Sequence, residues 1–456
     1  MKSAASALLF VSLASCAAAV RDAPRAAAPP PPPPAAPIVA VAAPTTLEVE
    51  PPPPACLPIA PSAYDLGPLA DKIARVPLGA IADDSHDLDR FYERFARLVR
   101  GKAKDHVRIA VYGDSNMTMD YVSGAMRRAF QEKFGDGGHG YVAMARPWSW
   151  YHHMDVRQRL DEHAWKRIST STNHVDDGNY SAANIATESS EPGAWSSVGT
   201  SARGPIGGSV SSIDVFYLAR PGGGSFEVDV DGEHAIDVDA DADQTATSYE
   251  HFEMPDGPHE LQVKVKTGTV RLFGAALERK PASVVVDSLG TGALNYEQML
   301  HVSEASRAPM LARRKYDLVV FLIGTNLFAP TLHERWMKRD IGDIERVAPG
   351  TPILVLSPPD LEHHRTDAHS DRRIVALDAQ LAAIAKRQGW AFWSFWHAMG
   401  GDGSMIRFAK DGLATWDLVH FTRDGGMLMG NRIARALTEG FAGYLREHPD
   451  AGCAGE

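Results

Sequence analysis

The sequence is short of positive charge. Its 46 Lys and Arg stand against 57 Asp and Glu, a net charge of −11. A protein that grips nucleic acid needs basic residues to neutralise phosphate, and no basic stripe relieves the deficit. Nucleic acid is therefore excluded as a partner. Cysteine is scarce, with three in 456 residues. Neither His152-His153 nor His363-His364 has companions at a zinc-ligand spacing, and no metal site is expected. The N-terminal apolar core is too short to cross a bilayer, and no other stretch is long and apolar enough. No sustained short-period repeat runs through the chain.

What is present suits a folded, exported protein. Hydrophobic residues make up 44% and charged residues 23% of a chain long enough for two or three domains. The first residues read as an export signal: Lys2 is a short positive n-region, and 7–14 form a small apolar core. Leu13-Ala14-Ser15-Cys16 resembles the bacterial lipobox, which implies a lipidated Cys16 and a membrane anchor. The alternative is cleavage near residues 17–19 and a soluble product. Lipidation of Cys16 leaves Cys56 and Cys453, a pair flanking the folded part. Export permits a disulfide between them, with two free thiols as the other reading.

Residues 17–60 are Ala/Pro-rich, with proline runs at 29–34 and 51–54. Such a tract builds no core and favours extended polyproline II. At about 3.1 Å per residue it reaches on the order of 100 Å, enough for a tether. From about residue 85 apolar strands alternate with amphipathic helices. Helical spacing runs through 88–99, 117–133 and 372–387. Apolar strands fall at 107–112, 283–286, 318–323, 353–356 and 391–395. This rhythm predicts a parallel sheet covered on both faces, a three-layer α/β/α domain. Residues 156–280 break it. They hold short β-like runs, such as 212–218, 226–230, 259–265 and 270–277, separated by Gly, Asp and Ser turns. An antiparallel β-sandwich or jelly roll is expected there. The expected organisation is thus a lipoprotein-type signal peptide over 1–16, a disordered linker over 17–60, a discontinuous α/β domain over 61–155 and 281–450, and an insert over 156–280.

Three short motifs sit where an α/β sheet places its chemistry. Gly113-Asp114-Ser115 follows an apolar strand and precedes a helix. Ligands bind outside the carboxyl ends of parallel strands, and the following helix favours developing negative charge. Gly324-Thr325-Asn326 ends another apolar strand. Asp417-Leu418-Val419-His420 stands directly before the last long helix. A serine nucleophile needs a base, and the base needs an orienter. Asp417 and His420, three residues apart, can form that pair on one turn of chain. The Gly-x-Ser-x-Gly elbow of another hydrolase class is missing, since Met117 stands where its second glycine would be.

These blocks, in this order, resemble the SGNH (GDS-type) hydrolase family. The resemblance implies a flavodoxin-like α/β/α fold and a serine esterase that needs no cofactor. It implies Ser115 as nucleophile with Asp417 and His420 as the general-base pair. Its oxyanion hole combines the nucleophile's own N–H, a glycine N–H and the Asn326 side chain. Gly290, at the end of the second strand, is the glycine chosen, with Gly292 as alternative. Leu327 replaces the Asp that commonly follows the Asn of the third block. The insert resembles the carbohydrate-binding-module-like β domain of envelope polysaccharide O-acetylesterases, including peptidoglycan-type enzymes. That implies an O-acetyl ester on a polysaccharide as substrate, in a lipid-anchored protein of the bacterial envelope. Esterase or lipase action on small or lipid esters, sugar O-acetyl transfer, and non-catalytic carbohydrate binding are the competing readings.

Three weaker signals have plainer explanations. Asp229, Asp231, Asp237, Asp239, Asp241 and Asp243 have the composition of a calcium site, and equally of solvated strand faces. The two His pairs read as surface or cleft residues. Trp148, Trp150 and Tyr151 suit a sugar-stacking platform, or packing at a domain interface.

Overall fold

The computed structural model describes residues 56–69, 72–201, 206–327, 330–362 and 369–454, with 330–333 placed by backbone alone. Cys16, the expected signal peptide, the linker up to residue 55 and His363-His364 lie outside these residues. Among the described residues no helix is long and apolar enough to cross a membrane.

Five parallel strands form the central sheet: β1 (Val107–Gly113), β2 (Val284–Gly290), β3 (Leu318–Leu322), β4 (Ile353–Leu356) and β5 (Ala391–Trp393). Their spatial order is β2-β1-β3-β4-β5. This is the flavodoxin-like doubly wound order, in which the chain reverses direction of travel between β1 and β3. Apart from the half-buried Ser288 of β2, every residue of these strands is buried, as expected where helices cover both faces. The faces alternate along each strand. Ile109 and Val111 join one core cluster, whereas Ala110 and Tyr112 join the other. Helices α1 (Asp89–Val99), α2 (Tyr121–Phe134) and α6 (Arg423–Glu447) cover the first face. Helices α3 (Glu304–Arg314), α4 (Pro330–Val347) and α5 (Arg372–Gln388) cover the second.

Helix boundaries follow local chemistry. The Asp371 side chain accepts from Arg373 N–H at the start of α5, and Gly389 ends it at φ 77°. The Thr422 side chain caps α6. Near its start α6 lies hard against α2: a Cβ at Gly430 would meet the Val122 carbonyl oxygen, and one at Gly426 the Tyr121 Cβ. Glycine there brings the helix after His420 close to the helix after Ser115.

The segment between β1 and β2 forms two antiparallel sheets around a separate core of Val, Leu and Phe. One sheet has six strands, the other five. The β domain begins earlier than residue 156, because strand Gly138–Val142 pairs with Val270–Glu278 and so belongs to the insert's sheet. Five residues of apparent loop acquire strand identity from that partner. Glu278, at the insert's last strand, is clamped by Arg108 of β1 at 2.7 Å and Arg314 of α3 at 2.8 Å. Arg314 also pairs with Asp287 of β2 at 2.8 Å. This largely buried network fixes the insert to the parallel sheet. Cys56 and Cys453 form a disulfide with Cα atoms 6.1 Å apart.

Candidate active site

Ser115 follows β1, and Asn326 follows β3. Both therefore stand at the carboxyl edge of the sheet, at the point where strand order reverses. Asp114 makes the turn. It is fully buried, and its carboxylate accepts from Asn116 N–H at 3.3 Å and Thr325 N–H at 3.2 Å. Burial pushes the Asp114 carboxyl up, opposed by those donors. One side chain thus joins the serine turn to the loop that carries Asn326. The sequence reading passed Asp114 over, although it lies inside the Gly-Asp-Ser motif.

The structure brings Ser115, His420 and Asp417 together across 305 residues. His420 Nε2 lies 2.9 Å from Ser115 Oγ, and His420 Nδ1 lies 2.7 Å from Asp417 Oδ2. The second Asp417 oxygen accepts from Thr415 Oγ1 at 2.5 Å, Val419 N–H at 2.9 Å and His420 N–H at 3.0 Å. Burial alone would raise the Asp417 carboxyl, but these donors, with the His420 ring, hold it well below the usual carboxylate range. An ionised Asp417 on Nδ1 leaves Nε2 free to take a proton from serine.

Asn116 is a further residue that sequence alone did not single out. Its Nδ2 donates to the Val419 carbonyl at 3.2 Å, and its Oδ1 accepts from Phe421 N–H at 3.0 Å. It grips the chain on both sides of His420 while sitting next to Ser115. Thr118 does related work on the other flank: its hydroxyl donates to the Ser115 carbonyl at 2.8 Å, and its own carbonyl accepts from Trp148 Nε1 at 3.2 Å.

The Asn326 Nδ2 is buried and has no hydrogen-bond partner. A buried donor left unpaired costs about 1–3 kcal/mol, a cost that is reasonable where charge develops during a reaction. The two candidate glycines differ. A Cβ at Gly290 would collide with the backbone of Met117, so close packing on the serine turn by itself demands glycine there. At Gly292 only Thr118 Cγ2 comes within reach, at 3.8 Å, which leaves this glycine the more open of the two.

The weaker sequence signals separate. Trp148 is buried and Tyr151 accepts from Ala143 N–H at 2.9 Å, so both are packing residues, whereas Trp150 points to solvent. His152 neighbours the Tyr121 ring, but His153 is not a surface or cleft residue: it is buried beside the Arg127–Asp120 ion pair. Burial pushes the His153 imidazole down to about 4. The acidic run in the insert is largely self-satisfied. Asp231 binds His259 at 2.7 Å, Asp237 binds Lys266 at 2.8 Å and Asp241 accepts from Gly222 N–H at 2.8 Å.

Residues 261–427 match the model of the GDSL-like lipase/acylhydrolase family. The matched span holds Gly290, Asn326, Asp417 and His420 but not Ser115, which the insert separates from them. No curated protein matches the chain. A solved structure described as a peptidoglycan O-acetylesterase in action is 20% identical, with TM-score 0.66, over 80% of this chain and 100% of its own. It shares this chain's fold. A family two carbohydrate esterase from Clostridium thermocellum, in complex with cellohexaose, is 15% identical over 57% of this chain and 96% of its own, with TM-score 0.27. One from Cellvibrio japonicus is 13% identical over 64% and 99%, with TM-score 0.25. These two overlap too little to bear on the fold.

Proposed function

From a chain that is an SGNH-type carboxylic ester hydrolase, with a GDSL-like lipase/acylhydrolase domain at residues 261–427, we propose an enzyme that removes O-acetyl groups from a cell-envelope or other polysaccharide. The observation that carries the chemistry is the relay from Asp417 through His420 to Ser115, at 2.7 and 2.9 Å, with the buried, unpartnered Asn326 donor just beyond the end of the neighbouring strand β3.

Ser115 Oγ attacks the acetyl carbonyl carbon while His420 Nε2 takes the hydroxyl proton. The carbonyl π electrons move onto oxygen. The oxyanion accepts hydrogen bonds from Asn326 Nδ2, Ser115 N–H and a glycine N–H at 290 or 292. Collapse re-forms the carbonyl and expels the sugar oxygen, which leaves with the proton held by His420. Water then attacks the acetyl-serine. His420 takes its proton and returns it to Ser115 Oγ as acetate departs. Asp417 stays ionised and holds the imidazole in the required tautomer.

A polysaccharide substrate is supported by the extent of the fold match. An overlap of 80% of this chain with the peptidoglycan O-acetylesterase structure is too long to leave the β insert out. The proposal includes export, with a lipid on Cys16 and a Pro-rich tether to the envelope. Replacement of Cys16 by alanine should abolish incorporation of labelled fatty acid.

The decisive measurement is acetate release from a small chromogenic acetyl ester, O-acetylated peptidoglycan and acetylated xylan, by the full chain and by Ser115→Ala. The chain should act on the small ester and on at least one polymer, and the variant on neither. Full activity in the variant would remove Ser115 from the mechanism. Hydrolysis of the small ester but of no polymer would remove the polysaccharide.

A further inference from the structure

Large apolar side chains are usually withdrawn from water, and most tryptophans of this chain are. Of nine, two are exposed: Trp150 at 59% and Trp416 at 48%. Each stands on a loop hydrogen-bonded to the turn that begins at Ser115. Trp416 directly precedes Asp417. Trp150 lies two residues beyond Trp148, whose ring N–H donates to the Thr118 carbonyl at 3.2 Å.

Each loop is held by the serine turn itself. Thr118 fastens the Trp150 loop. Asn116 fastens the loop that continues from Trp416, through the Val419 carbonyl at 3.2 Å and the Phe421 N–H at 3.0 Å. Thr118 and Asn116, both in the turn that begins at Ser115, thus anchor the two loops that carry the exposed indoles. Neither position serves the core: the buried indole of the first loop is Trp148.

We propose that Trp150 and Trp416 are the walls of a glycan cleft running across Ser115, each stacking on the apolar face of a pyranose ring. The ester-bearing sugar is then presented between them. This deepens the proposed function and rests on it. Flat aromatic faces suit the flat, C–H-lined face of a sugar ring, whose hydroxyls stay in water at the rim. An acyl chain would instead want an aliphatic trough. Among the described residues the exposed large aliphatics are Leu57, Ile236 and Val375, none of them on either loop.

The test compares Trp150→Ala, Trp416→Ala and the corresponding Phe variants on three substrates: acetylated polymer, a small chromogenic acetyl ester, and the same chromophore esterified with a long acyl chain. The expected result is a fall in the polymer-to-small-ester ratio of kcat/KM by about tenfold per Ala variant, carried by KM. Phe should restore most of it. Equal loss on polymer and small ester would overturn the idea, since the loops would then be acting on the catalytic geometry. So would no loss on either. A selective loss on the long-chain ester would replace the glycan by an acyl chain. If the wild-type chain releases no acetate from any polymer, the polysaccharide reading itself falls and the glycan cleft falls with it. Wild type settles that first, before any tryptophan variant is compared.

Discussion

Asn116→Ala is the most informative perturbation of this site. The carboxamide is buried and makes two hydrogen bonds, to the residues on either side of His420, at 3.2 and 3.0 Å. Each neutral hydrogen bond contributes about 1 kcal/mol, and a buried Phe421 N–H left without its acceptor costs about 1–3 kcal/mol more. The variant should therefore lose about 3–5 kcal/mol in urea denaturation. The larger effect is on geometry. The 2.9 Å contact between His420 and Ser115 depends on where the His420 loop sits. A displacement near 1 Å at a reacting pair costs about 100-fold in rate. With a small acetyl ester, kcat should fall by that order while KM changes little, at a temperature where the variant is shown to be folded. If stability falls but kcat stays within about threefold of wild type, the His420 loop holds itself through Thr415 and Asp417. Asn116 would then be a stabilising residue without a positioning role.

Other substitutions probe separate parts of the reasoning. Asn326→Ala should lower kcat by about 10²–10³ without loss of stability, because it removes a buried donor that has no partner in the resting protein. A marked drop in melting temperature would contradict that. For His153 the sign follows from a folded value of about 4, below its ordinary 6.5. The unfolded chain binds the extra proton, so the stabilising share is complete above about pH 6.5 and declines as pH falls towards the folded value. Between pH 6.5 and 5 the loss should be about 2 kcal/mol, read by urea titrations at several pH values. An equal slope in His153→Gln would assign it to other groups. Glu278→Gln leaves the Arg108 and Arg314 guanidiniums against a neutral amide. It should cost about 3 kcal/mol, and a change below about 1 kcal/mol would show that Asp105 and Asp287 suffice.

The alternation of apolar strands and amphipathic helices was sufficient to determine a parallel, doubly covered sheet. Burial on both faces leaves an unbroken run such as Leu318–Leu322, and one-sided burial leaves a 3.6-residue stripe. Gly, Asp and Ser punctuation was enough to mark an all-β insert. The candidate site residues could be named because Gly113-Asp114-Ser115, Gly324-Thr325-Asn326 and Asp417 to His420 are each local motifs. Their meeting was not readable in the chain. Ser115 and His420 touch across 305 residues, where Asn116 grips both sides of His420 and glycines let α6 lie on α2. Strand Gly138–Val142 takes its identity from a partner more than a hundred residues away. His153 looks like its neighbour His152 in sequence, yet Asp120, Arg127 and the chain around them enclose one ring and not the other. Of the aromatic group at 148–151, tertiary packing buried Trp148, gave Tyr151 a backbone N–H to accept, and left Trp150 exposed. Periodicity records which face of an element is dry. It carries no information about which distant element dries it, and the active site is made of those distant pairings.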